Sequence, residues 1–234
     1  MNIVVTGATQ GIGRAIAERF AKEAFNLCIC ARSLSDLQAM QRYFLTNFAA
    51  SKVYYYQADL SKKEEVFAFA SYVNTVFDTV EVLVNNAGLF KQGLVSQPSE
   101  QEIQDFEQMM DTNLYSAYYL TQKMVPLMLK NTAKPYIFNI ASIASIKPYG
   151  AYSVSKFAML GWSKVLRKEL KAHNIRVSSV MPGATLTASW ASTDLPEARF
   201  IDAHDLADLV WSTYNLSSRT VVEELVIRPQ LGDI

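Results

Sequence analysis

Asn2-Ile-Val-Val-Thr6-Gly7-Ala-Thr-Gln-Gly11-Ile-Gly13-Arg-Ala-Ile-Ala17 is the stretch that decides the fold of this chain. Ile3, Val4 and Val5 form an unbroken apolar run, the pattern of a strand buried on both faces of a parallel sheet. Gly7, Gly11 and Gly13 follow, and an amphipathic helix then runs toward Lys22. Glycine at such points lets the backbone turn sharply, come close to a bound group and pack the helix against the strand. The helix start presents unpaired N–H groups and a positive dipole end, which suits a pyrophosphate. The spacing is Gly-x-x-x-Gly-x-Gly, which is neither the Gly-x-Gly-x-x-Gly fingerprint nor a loop ending in Gly-Lys-Ser/Thr. Its place between a buried strand and a helix is what makes it informative.

Working outward, strands and helices alternate to the end of the chain. Strands are expected at Asn26 to Ala31, Val53 to Gln57, Val80 to Val84, Pro135 to Ala141, Ile175 to Val180 and Val221 to Ile227. Between them lie helical patterns over Leu34 to Phe48, after a capping box at Ser61-Lys-Lys-Glu64, and from a second box at Ser99-Glu-Gln-Glu102 toward Lys130. Pro126 is expected to kink that long helix near its end. Further helices run from Ala151 to Ala172 and from an Asp202 cap to Leu216, after an irregular stretch from Thr187 to Phe200. Such alternation predicts an α/β fold of one domain over residues 1–234, a doubly wound, seven-stranded parallel sheet with helices on both faces. Ligands bind at the carboxyl ends of such strands, where the winding reverses. Gly7, Arg32, Asp59, Asn86, Ser142 and Pro182 all fall at those ends.

Composition narrows the class. Half the residues are hydrophobic and 19% are charged, which marks a globular chain. Lys+Arg and Asp+Glu balance at 22 each with no basic block, so neither nucleic acid nor an anionic membrane is the expected partner. Cys28 and Cys30 point to one face of a strand and read as buried apolar filler in a reducing compartment. No uncharged apolar run reaches the ~20 residues a membrane span needs. The chain opens straight into its first strand, and a cytoplasmic location without a signal peptide is expected. No metal site is expected.

The chemistry concentrates at Tyr152-Ser-Val-Ser-Lys156. Residues four apart share a helix face, so a phenol and an ammonium there can enter one cleft. A free tyrosine, with a pKa of ~10, is a poor acid–base catalyst at neutral pH, and a neighbouring cation favours its phenolate. On its own the pair reads first as an ordinary surface Tyr–Lys contact. Here it follows a strand ending in Ser142, in a chain that already carries a dinucleotide loop.

Together, Thr6-Gly-x-x-x-Gly-Ile-Gly13, Asn85-Asn-Ala-Gly88, Asn113, Ser142, Tyr152, Lys156 and Pro182-Gly183 resemble the short-chain dehydrogenase/reductase family, in that family's order and over essentially the whole chain. The resemblance implies that Tyr152 gives or takes the hydroxyl proton and that Lys156 lowers its pKa and holds the nicotinamide ribose. It implies further that Ser142 hydrogen-bonds the substrate oxygen and that Asn113 holds a water of the proton relay. Cofactor contacts are implied at Gly7, Thr9, Gly11, Ile12 and Gly13 in the loop, and at Asp59 and Leu60 beside the adenine. Others are implied at Asn86, Ala87 and Gly88, and at Pro182, Gly183, Thr185 and Thr187 beside the nicotinamide. Asp59 reads equally as a helix-entry residue. Only ten positions separate Ser142 from Tyr152, fewer than the family usually has, which leaves Ser145 as a competitor for the serine; Ser142 is preferred.

At the end of the second strand, Ala31-Arg32-Ser33 offers an arginine and no carboxylate, which suits a 2′-phosphate and favours NADP(H) over NAD(H). The expected activity is an NADP(H)-dependent interconversion of a carbonyl and an alcohol. The alternative is a non-catalytic NADP(H)-binding sensor or scaffold on the same fold. Phe90, Leu94, Tyr149 and Trp190 are expected near the cleft mouth, under a lid spanning Ala184 to Phe200. Apolar excess on the two long helices, at Tyr115, Tyr118, Leu127, Trp162 and Leu166, with small Ala158 and Gly161, leads to the expectation of a homodimer or homotetramer.

Overall fold

A computed structural model describes every residue except 94, 95, 97, 131, 132, 188, 189, 191 and 192. Leu94 therefore lies outside the described residues. The strands are β1 (Asn2–Thr6), β2 (Asn26–Ala31), β3 (Val53–Gln57), β4 (Val82–Asn85), β5 (Tyr136–Ile140), β6 (Arg176–Pro182) and β7 (Glu224–Ile227). All pair in parallel, in the order β3-β2-β1-β4-β5-β6-β7. The helices are α1 (Gly11–Ala21), α2 (Leu34–Asn47), α3 (Lys63–Val76), α4 (Glu100–Met110), α5 (Ser116–Leu129), α6 (Gly150–Leu170) and α7 (Ala203–Asn215).

The period of two along β1 sorts the helices onto two faces. Ile3 and Val5 join the core built with Ile16 and Phe20 of α1, Leu37 and Phe44 of α2, and Val210 of α7. Val4 points the other way, into the core with Val66 and Phe69 of α3, Leu120 and Met124 of α5, and Leu166 of α6. Edge-to-face contacts of Phe20 with Phe25 and Trp211, each at 5.1 Å, lock α1 to α7. The expected doubly wound sheet is the observed one. Its winding reverses between β1 and β4, so the crevice opens beside Gly7.

Two local helix readings change and a third holds. Ser61 does not cap α3, which starts two residues later; its hydroxyl instead donates to Asp59 Oδ1 at 2.8 Å, and Lys62 stands at the helix entry. Ser99 does cap α4, accepting from the Glu102 N–H at 3.2 Å. The long helix is not continuous: a π-helical turn over Asp111–Tyr115 separates α4 from α5. Such turns insert one residue into the helical ladder and recur at functional sites. Pro126 lies inside α5, which continues to Leu129. Cys28 and Cys30 are buried and unbridged, and loss of water pushes both thiols up, Cys30 to about 12. No helix among the described residues is long and apolar enough to cross a membrane.

Candidate active site

A cavity of about 850 Å³ runs along the carboxyl ends of the strands. Its wall contains Gly7, Thr9, Gly11, Ile12, Arg32, Asp59, Leu60, Asn86, Ala87, Gly88, Ser142, Tyr152, Lys156, Pro182, Gly183, Thr185 and Thr187. Gly13 and Asn113 stand behind this wall. The structure thus gathers residues more than a hundred positions apart into one cleft.

At one end the glycine loop is shaped by backbone geometry. Gly7 and Gly11 have φ of +63° and +54°, the left-handed region that other residues resist. A Cβ on Gly13 would run into the Gly7 carbonyl oxygen and the Asn86 amide. The Asn86 side chain donates to the carbonyls of Thr6 at 2.9 Å and Gly7 at 3.0 Å, while the Thr6 hydroxyl accepts from the N–H groups of Asn86 and Ala87, each at 2.9 Å. The ends of β1 and β4 are therefore sewn together, and the loop is held open. Thr187 packs over Gly11, so the segment after β6 bends back across the loop.

Arg32 is exposed where β2 ends, and its guanidinium makes no ion pair among the described residues. Asp59 accepts from the Ser61 N–H at 3.1 Å, the helix-entry role, and still lines the cavity with Leu60. Thr185 is buried and spends its hydroxyl on the Gly183 carbonyl at 3.0 Å.

At the other end α6 begins. Its first turn is set by Ser153, whose hydroxyl accepts from the Tyr149 N–H at 2.6 Å and donates to the Lys147 carbonyl at 3.0 Å. Tyr152 is half-buried, its ring edge-to-face with Phe90 at 5.1 Å and its phenol near enough to Ser142 for that hydroxyl to favour the phenolate. Ser142 also caps the short turn Ile143–Ser145. Ser145, the competitor, is fully buried and donates to the Lys156 carbonyl at 2.8 Å, away from the phenol. Lys156 is buried, with Nζ donating to the Ile140 carbonyl at 3.1 Å and lying 5.8 Å from the centroid of the Tyr152 ring.

The electrostatics differ from the expectation. Loss of water pushes the Tyr152 phenol up to about 12 against the opposing pull of the Ser142 hydroxyl, and pushes the Lys156 ammonium down to about 8. Burial is the largest influence on each group, and it holds the phenol above the ordinary tyrosine range.

Asn113, within the π turn, is fully buried. Its amide donates to the Leu89 carbonyl and the Ser155 hydroxyl, each at 2.9 Å, and its Oδ1 accepts from the Leu89 N–H at 2.7 Å. The side chain clamps the strand end after β4 to α6. Gly88 lies beside both Asn113 and Lys156: a Cβ there would meet Asn113 Oδ1 at 3.4 Å and Lys156 Nζ at 3.6 Å, ordinary van der Waals contact.

Asp36, Asp233 and Ile234 are among the wall residues that sequence reading missed. Asp36, in the first turn of α2, brings a carboxylate to the Arg32 end. Asp233 and Ile234 arrive from beyond β7. Their signal was the same as for Gly7 and Ser142: they follow the carboxyl end of a parallel strand.

A model of the short chain dehydrogenase family matches residues 1–198. The sepiapterin reductase of Chlorobaculum tepidum is 33% identical over 243 aligned positions, covering 99% of this chain and 97% of that protein. Among solved structures, an alcohol dehydrogenase from the archaeon Thermococcus sibiricus, complexed with 5-hydroxy-NADP, superposes with a TM-score of 0.87 at 27% identity, covering 98% of this chain and 96% of that one. The L-sorbose reductase from Gluconobacter frateurii, complexed with NADPH and L-sorbose, gives 0.86 at 26% identity, covering 97% and 95%.

Proposed function

The chain belongs to the short-chain dehydrogenase family, and from that premise we propose that it reduces a carbonyl compound to an alcohol with NADPH. The observation that carries this reading is that Ser142, Tyr152 and Lys156 line one end of a cavity whose other end is the glycine loop. The residues fit NADP(H). Two glycines at positive φ and a third with no space for a Cβ form a cradle for a pyrophosphate. Arg32 is a guanidinium without an ion pair among the described residues, where a 2′-phosphate would sit. Asp59 and Leu60 would flank the adenine, the backbone of Asn86 to Gly88 would border the cofactor's middle, and Tyr152 and Lys156 would hold the nicotinamide ribose. Pro182, Gly183, Thr185 and Thr187 would border the nicotinamide. When bound, NADPH supplies the hydride.

The chain's own residues supply the rest. Ser142 fixes the substrate oxygen through its hydroxyl. Tyr152 gives its phenolic proton to that oxygen and is reprotonated from solvent. A phenol pushed up to about 12 is fully protonated at neutral pH, the form needed for reduction. Asn113 braces the site by tying Leu89 to α6. Turnover of a panel of ketones and aldehydes, sepiapterin and L-sorbose among them, tests the reading with NADPH and NADH in parallel. Tight NADPH binding without turnover of any member would favour the sensor.

The same proposal extends to assembly. Leu127 and Leu166, expected on a partner surface, are core residues, and Trp162 packs against that core. Exposed apolar side chains on these helices include Tyr115 and Tyr118 on one side and Val154, Phe157 and Val165 of α6 on the other. Gly161 leaves open space above the α6 backbone for a partner helix. A homodimer or homotetramer joined through this face is the reading; a monomer by light scattering at micromolar concentration would remove it.

A further inference from the structure

Beyond β7 the chain turns at Gly232, whose φ of +86° requires glycine, and places Asp233 in the cavity wall. Asp233 Oδ1 accepts from Arg228 Nε at 2.8 Å. Its Oδ2 accepts from Lys147 Nζ at 2.9 Å, from the Tyr149 hydroxyl at 3.5 Å and from Arg228 Nη2. These cations hold the carboxyl down to about 2, so it is ionised throughout the working range. Lys147 and Tyr149 belong to the short stretch between Ser142 and Tyr152. One carboxylate therefore joins the end of the chain to the loop that links the two proposed catalytic residues. Neither Lys147 nor Arg228 lines the cavity, whereas Asp233, which both contact, does. The nearby wall side chains Phe90 and Tyr149 carry no charge at neutral pH.

We propose that Asp233 is a specificity-determining residue, which closes the substrate end of the cavity and screens it from Lys147 and Arg228, so that neutral carbonyl compounds are preferred over anionic ones. This rests on the carbonyl reductase reading. Removing one partner of a clustered ion pair leaves the other charges uncompensated, and a ligand anion can then take the vacant place. Loss of Asp233 should hence admit substrates bearing a carboxylate. It should also loosen the loop from Ile146 to Ala151, which the carboxylate holds through Lys147.

The experiment compares the wild type with Asp233→Asn, Asp233→Ala and Asp233→Glu on a neutral ketone and its carboxylate-bearing counterpart. NADPH affinity is measured alongside. Asn and Ala variants should raise the acid-to-neutral ratio of kcat/KM at least ~10-fold, with NADPH affinity within about twofold of wild type. The Glu variant should keep the wild-type ratio. An unchanged ratio in both Asn and Ala variants overturns the proposal. Should the wild type bind NADPH and reduce neither ketone nor any member of the panel, the reaction reading has failed by itself, and hydrogen exchange still reads the latch. Amides of residues 146–151 should then exchange at least ~10-fold faster in Asp233→Ala; equal rates overturn the latch.

Discussion

The Ser145 hydroxyl donates to the backbone carbonyl of Lys156 at 2.8 Å, so the turn that begins with Ser142 is stitched to the helix that carries Tyr152 and Lys156. The two serines of this turn consequently have separable roles. Ser142→Ala removes the hydroxyl beside the phenol and should lower kcat ~10²-fold while the melting temperature stays nearly constant. Ser145→Ala removes a buried hydrogen bond to a carbonyl that the α6 ladder also satisfies, which should cost about 0.5–1.5 kcal/mol of stability with much of kcat retained. Denaturation curves and steady-state kinetics on both variants check this; the opposite pattern would exchange the roles.

Arg32 is exposed and unpaired among the described residues, whereas Asp36 brings an opposing charge to the same end of the cavity. A charge-assisted hydrogen bond from the guanidinium to a 2′-phosphate contributes ~1.5–3 kcal/mol, or roughly ten- to a hundred-fold in affinity. Arg32→Ala should weaken NADPH binding by that factor and leave NADH nearly unchanged. Fluorescence titration with both cofactors measures it, and equal losses would refute the assignment.

How much of this was legible before the structure depends on the range of the interaction. The Gly7–Gly13 loop is a local pattern, and Tyr152 with Lys156 is one helical turn; both could be read directly. The doubly wound parallel sheet followed because buried apolar strands alternating with helices have few right-handed ways to pack. Ser61 misled because a capping box is only a local preference, and the carboxylate of Asp59, two residues earlier, captured its hydroxyl. The π turn at Asn113 is set by Leu89, 24 positions away, which no window around Asn113 contains. Asp233 reaches Lys147 across 86 positions, and only the folded chain shows it. The pKa directions depended on burial depth, which spacing does not encode.

Lys156 offers a test of that burial. Its folded pKa, near 8, lies below the ordinary lysine value, so between about pH 8 and ~10.4 the unfolded chain holds a proton that the folded one lacks. Stability should therefore rise with pH across that window, by an amount on the order of 3 kcal/mol at most. Below pH ~8 the penalty of a buried charge is fully present. Lys156→Met should flatten the slope between these limits. Urea denaturation at a series of pH values, without cofactor, gives both curves; parallel slopes would show that the ammonium is not desolvated.

Tyr152→Phe is the decisive variant for the reaction. The substitution keeps the ring that packs edge-to-face with Phe90 at 5.1 Å and removes only the hydroxyl near Ser142. Folding and NADPH binding should survive, because the glycine loop and Arg32 are untouched. Turnover should fall by the ~10²–10⁴-fold typical of lost general acid catalysis. The same variant isolates the phenol by subtraction: an ultraviolet difference titration of cofactor-free wild type against Tyr152→Phe should show no Tyr152 phenolate below pH ~10, since burial pushes that group up to about 12. The sign matters for direction. A group protonated across the neutral range is ready to give a proton to a reduced carbonyl, and it must be deprotonated at a cost before it can accept one from an alcohol. Reduction should consequently hold its rate through neutral pH, while oxidation of the product alcohol should climb steadily as the pH rises toward 10. Near wild-type reduction by Tyr152→Phe would place the proton donor elsewhere in the cavity.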